Sequence, residues 1–109
     1  MPTAYKVLGQ TAPSAATATS LYTVPAATQA VCSTIVIANR GTTDGTYRIA
    51  VRPAGATLAN VHYQFYDIVL TSNSSDVLSI GMTLAATDVV TVYASNANFS
   101  FTLFGSELT

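Results

Sequence analysis

Apolar residues in this chain recur at every second position in short bursts, and no window of ten or more residues carries them at helical spacing. That periodicity is the strongest constraint on the fold, because a strand sends successive side chains to opposite faces. Tyr47, Ile49 and Val51 alternate with Arg48, Ala50 and Arg52, as in a half-buried strand. Phe99, Phe101 and Leu103 alternate with Ser100 and Thr102 in the same way. Val31 to Ala38 is β-branched and apolar on both phases, as expected of a central strand, and Val89 to Ala94 is a shorter version. Val61, Tyr63 and Phe65 hold one phase and Tyr66, Ile68 and Leu70 the other, so a β-bulge or bend is expected between Phe65 and Tyr66. Shorter candidates are Tyr5 to Leu8, Ser20 to Val24 and Val77 to Ile80.

Turn chemistry separates these runs. Asn39-Arg40-Gly41 and Asp44-Gly45 precede the Tyr47 strand and Pro53-Ala54-Gly55 follows it. Ser72-Asn73-Ser74-Ser75 and Asn96-Ala97-Asn98 divide the later strands, the asparagines suiting the positive φ of tight turns. Gly9, Gly41, Gly45, Gly55, Gly81 and Gly105 each read as strand-end punctuation, and no glycine-rich phosphate loop is present. Seven to eight strands at this spacing predict an all-β fold, a single antiparallel β-sandwich or jelly-roll-like domain with an extended N-terminal segment. Residues 1–20 are expected to hold an N-terminal strand and an Ala/Thr/Ser-rich arm, and residues 21–109 the sandwich. Thr11 to Ser20 has no large side chain and contains Pro13, so it reads as a mobile linker or as an arm lying on a neighbour.

Charge narrows the function. Only 8% of the 109 residues are charged, half are apolar, and Ala, Thr and Ser together number 44. Ordinary domains carry about 25% charged residues. Net charge keeps domains apart in solution, so a surface this neutral implies cover by neighbouring subunits. Lys6, Arg40, Arg48 and Arg52 are too few to grip nucleic acid. The most apolar stretch, Ala26 to Ala38, is too short and too interrupted for a membrane helix. No secretion signal is expected at the N-terminus. One cysteine excludes an internal disulfide framework and suits a reducing cytoplasm.

Candidate chemistry is sparse. Cys32 and His62 are the one thiol and the one imidazole, and a nucleophile pair needs both at a cleft with a third group to orient the imidazole. Cys32 lies inside the most apolar run and reads as a small buried hydrophobe. His62 reads as a strand residue at the surface or an interface. No catalytic residue, cofactor or metal is expected: one His and one Cys make no zinc site, and Asp44, Asp67, Asp76 and Asp88 are scattered at strand ends, where Asp caps turns. Asn73-Ser74-Ser75 and Asn98-Phe99-Ser100 match the glycosylation pattern but read as turn asparagines.

Six Tyr and four Phe occur with no Trp. Tyr22, Tyr63, Tyr66 and Tyr93 fit either a core with the hydroxyl at its edge or a subunit contact. Arg48 and Arg52 share the outer face of one strand, with Arg40 in the turn before it. They form a solvated face or a polar contact with an acidic partner. The candidate interface residues are therefore Arg40, Arg48, Arg52, Tyr22, Tyr63 and Tyr66.

Several segments resemble small virion structural proteins of tailed phages, particularly those of cyanobacteria and marine bacteria. They are Tyr5-Lys6-Val7-Leu8-Gly9-Gln10, Leu21-Tyr22-Thr23-Val24-Pro25, Ser33 through Gly41, Leu84-Ala85-Ala86-Thr87-Asp88 and Phe101-Thr102-Leu103-Phe104-Gly105. The resemblance implies a β-sandwich subunit of the virion, made in the host cytoplasm, that decorates or cements a capsid or sits in a tail or baseplate. The expected role is a capsid cement protein that associates with itself as a trimer and bridges major capsid protein subunits, with no nucleic-acid or membrane partner. A tail, baseplate or fibre-attachment role and a host-glycan-binding module are the alternatives.

Overall fold

The computed structural model describes residues 3–109, so residues 1 and 2 of the expected N-terminal segment lie outside the described residues. Eight strands follow in order: β1 (Thr3–Thr11), β2 (Thr19–Thr23), β3 (Gln29–Asn39), β4 (Gly45–Arg52), β5 (Tyr63–Leu70), β6 (Ser74–Leu84), β7 (Val89–Ala94) and β8 (Phe99–Leu108). Single 3-10 turns occupy Pro53–Gly55 and Asn60–His62. One four-stranded sheet, sheet A, has the order β1-β8-β3-β6, and the other, sheet B, the order β2-β7-β4-β5, with every pairing antiparallel. First pairs with eighth, second with seventh, third with sixth and fourth with fifth. That is one long hairpin rolled until β3 also meets β8 and β4 meets β7, the jelly roll.

The period-two bursts supply the core. Cys32, Ile35, Ile37, Phe99, Phe101 and Leu103 face inward from sheet A onto Tyr47, Ile49, Val90 and Val92 of sheet B, and each is buried. Tyr47 meets Phe99 and Phe101 at centroid distances of 6.5 and 6.3 Å, the second edge-on, as ring quadrupoles prefer. Buried Asn39 is fully used: its amide donates to the carbonyls of Thr43 and Leu70 and its oxygen accepts from Gly41 N–H, which closes the β3–β4 turn.

The bend expected in β5 is present. Tyr47 pairs with Ile68 but Ile49 with Phe65, so β5 carries an extra residue, and Asp67 there has φ 51°. Other expectations change. Thr11–Ser20 is tied to its own chain at several points: residues through Thr11 stay in β1, Pro13 is buried, Ala16 N–H donates to the Ala94 carbonyl, and Thr19 begins β2, while residues 14–18 are exposed. Small side chains suit the segment because it crosses between the sheets along the body of its own chain. Gly9, Gly81 and Gly105 lie inside strands, not at their ends. His62 sits in a 3-10 turn, not a strand. Asn96 closes its turn by accepting Asn98 N–H, and Asn73 is the asparagine with positive φ.

Candidate functional site

The bulge in β5 turns Tyr66 and Asp67 toward Arg48 on the outer face of sheet B. Arg48 Nε donates to Asp67 Oδ1 at 2.7 Å and Nη2 to Oδ2 at 3.4 Å. The same guanidinium lies 4.2 Å from the ring centroids of both Tyr66 and Tyr93 and 5.9 Å from that of Tyr63. Tyr93 is Arg48's direct cross-strand neighbour, so the β4–β7 register sets one wall and the β5 bulge the other. Tyr63 and Tyr66 meet edge-on at 4.9 Å. The bond to Asp67, above all other causes, holds the guanidinium firmly charged. Three tyrosines thus clasp an arginine whose charge a carboxylate already balances.

Three of the six candidate interface residues, Arg48, Tyr63 and Tyr66, come together here. The other three do not join them. Arg52 donates to Thr91 Oγ1 at 3.0 Å and to the Gly55 and Ala56 carbonyls, so it fastens the turn after β4. Arg40 lies at the far end of sheet A, donating to Ser100 and to the Ala97 carbonyl. Tyr22 is buried and donates its phenol to Glu107, which removes it from the surface. Within the chain Arg48 is paired with Asp67, while Arg52 binds neutral oxygens.

Beside the clasp, Asn60, Tyr63 and Tyr66 line an open depression of about 440 Å³. The turn carrying Asn60 is closed by His62, whose ring Nδ1 accepts Ala59 N–H at 3.0 Å while its backbone N–H donates to the Ala59 carbonyl. Cys32 is far from any such role. It is fully buried in sheet A, and burial pushes its thiol up to about 11. Asp44 and Asp88 cap turns, accepting Ser72 N–H and the N–H groups of Ala54 and Ala85 respectively.

The outer face of sheet A holds what the sequence reading missed. Register places Tyr5 opposite Ser106 and Ser106 opposite Val31, which is opposite Thr83; one level on run Val7, Phe104, Thr34 and Ser79. Further rows hold Gln10, Thr102, Val36 and Val77, then Ser100, Ala38 and Ser75. Among the described residues no strand of the sheet carries a charged residue at an outward register position of this face; Lys6 and Asp76 bind Glu107 and Tyr47, though Lys6 also reaches the groove rim, and Arg40 borders one end. Tyr5 is 84% exposed and Val77 66%, with Val7, Val31 and Phe104 also open to water. Tyr5, Val7, Val31 and Phe104 wall a groove of about 640 Å³ over Gly105 and Ser106. The signal was present in the outward phase of each strand, but which strands share a sheet is not written in any one of them.

A scan against known protein families and a search of the curated proteins both found no match to this chain.

Proposed function

We propose that this chain is a structural subunit of a phage particle, a capsid cement or decoration protein that acts by packing on other subunits and not by catalysis. The observation that carries the reading is the uncharged outer face of sheet A, with Tyr5, Val7, Val31 and Phe104 clustered in water. Four strands about 4.8 Å apart and some ten residues long give a flat area of roughly 600 Å², close to what one partner buries in a standard interface, about 800 Å². Contiguous apolar patches of this kind mark contact sites on soluble proteins. A neutral face brings no charge to be desolvated, so modest contacts repeated over a symmetric shell add through avidity. The likeness of the Tyr5–Gln10, Ser33–Gly41 and Phe101–Gly105 segments to tailed-phage virion proteins supports the particle as the setting. The partners in this reading are further copies, as a trimer, and the major capsid protein.

Particles stripped of this protein are expected to release DNA at a lower temperature, and adding back the wild-type chain but not Phe104→Lys restores them. Unchanged thermal stability of stripped particles would count against the shell role. Counting copies per particle places it further: hundreds belong to a shell, a few dozen or fewer to a tail or baseplate.

A further inference from the structure

We propose that the corner formed by Asn60, Tyr63 and Tyr66, on the broad face opposite the uncharged one, is a binding site for a neutral saccharide. It is independent of the packing role, since it lies on sheet B and uses none of the residues of the sheet A face.

Shape comes first. Small-molecule sites are concave, about 300–1,000 Å³, with aromatic walls and a few placed polar groups. The depression of about 440 Å³ falls within that range, and its lining is two tyrosines and one amide. Two rings meeting at 80° make a corner, not a flat platform, so a ligand ring can lie against one wall while the other closes its side. The C–H groups of a sugar ring carry partial positive charge and suit the negative face of an aromatic ring. Its hydroxyls both donate and accept, which suits a carboxamide and two phenols.

Rigidity follows from the clasp. Tyr66 is 53% exposed yet held by Arg48 against its ring and Tyr63 at its edge. A side chain already ordered in the free protein loses little entropy on binding. His62 acts as a positioning residue through the two hydrogen bonds that close the Asn60 turn.

Charge selects the ligand class. Arg48 and Asp67 neutralise each other at 2.7 Å, and among the described residues the depression's lining holds no cation for a carboxylate, sulfate or phosphate. Val61, Ile68 and Val69 are also exposed on this side, but the depression itself is lined by Asn60, Tyr63 and Tyr66. Nearby, Arg48 Nε binds Asp67, and Arg52 donates to Thr91 Oγ1 and to the Ala56 carbonyl. Two phenols and a carboxamide around the depression suit a compact, uncharged, hydroxyl-rich ligand.

The test titrates the full chain with glucose, galactose, mannose, N-acetylglucosamine and a panel of neutral oligosaccharides. Saturation-transfer NMR and tyrosine fluorescence, which no tryptophan obscures, report binding. At least one saccharide is expected to bind, with affinity falling about tenfold or more in Tyr66→Ala and in Asn60→Ala, while Val77→Ala on the opposite face changes nothing. Both altered residues are exposed, and unchanged circular dichroism and melting confirm the fold. Absence of binding across the panel overturns the proposal, as does equal binding by wild type and both variants. A protein ligand lost in Tyr66→Ala without any saccharide binding would overturn it as well.

Discussion

Tyr22 and Tyr47 each reach from sheet B to a carboxylate of sheet A, Tyr22 to Glu107 on β8 and Tyr47 to Asp76 on β6. Burial first, and the carboxylate second, keep both phenols well above the ordinary tyrosine value of 10.0. Glu107 is buried and also takes Lys6 at 2.8 Å; the bond from Lys6, then that from Tyr22, holds its carboxyl below the usual 4.5. A depressed carboxylate contributes stability that is whole above its unfolded value and lost as pH falls through the folded one. The melting temperature is therefore expected to drop below about pH 4.5, and Glu107→Gln to flatten that drop while lowering stability at neutral pH. The raised phenols work in the other direction, their contribution whole below pH 10 and lost above it. Tyr47→Phe should cost about 1–2 kcal/mol in urea unfolding at pH 7, because Asp76 loses its donor, and should reduce the alkaline loss.

A line of bulges crosses sheet A at one level. Leu8 is extra against β8, where Val7 pairs with Phe104 but Gly9 with Leu103. Ser33 is extra on the other side, where Cys32 pairs with Gly105 but Thr34 with Phe104. At that level a Cβ on Gly105 would run into the Val31 carbonyl and Cys32 Cα, so the strands approach closely only because glycine is there. Gly105→Ala is expected to destabilise the fold by about 1–3 kcal/mol, measured by denaturant unfolding. The β6–β7 turn stores the opposite opportunity. Thr87 has φ 69°, costly for a β-branched residue. Thr87→Asn, whose side chain tolerates the left-handed region, should stabilise by about 1 kcal/mol in the same measurement. Nothing in the sequence around Thr87 suggests this conformation, since threonine argues for extended backbone.

Among the described residues the charged side chains sit on inner corners, turns and sheet B, and the outward register positions of sheet A carry none. Replacing both Val31 and Phe104 with lysine is expected to leave unfolding free energy within about 0.5 kcal/mol, as at other open surface positions. The same change should raise the precipitation threshold in ammonium sulfate and, on the proposed packing role, abolish co-assembly with particles. Equal solubility of variant and wild type would show that the face does not govern association.

Fold class was legible in the chain because a period of two is local: Phe99, Phe101 and Leu103 declare their inward face within five residues. The β5 bulge was legible for the same reason, as a slip in phase. The Arg48 clasp was half legible. Arg48, Tyr63 and Tyr66 could be named, but Asp67 read as a turn cap and Tyr93 as one of several tyrosines. The long edge strands, the in-strand glycines and the path of Thr11–Ser20 were not legible, since backbone pairing asks nothing of side chains that alternation would record. Sequence alone determined that this chain makes strands and which side of each is apolar. Only the tertiary structure decided which outward sides lie in one sheet, because that depends on pairing between distant strands, and a face without charge is a property of four strands together.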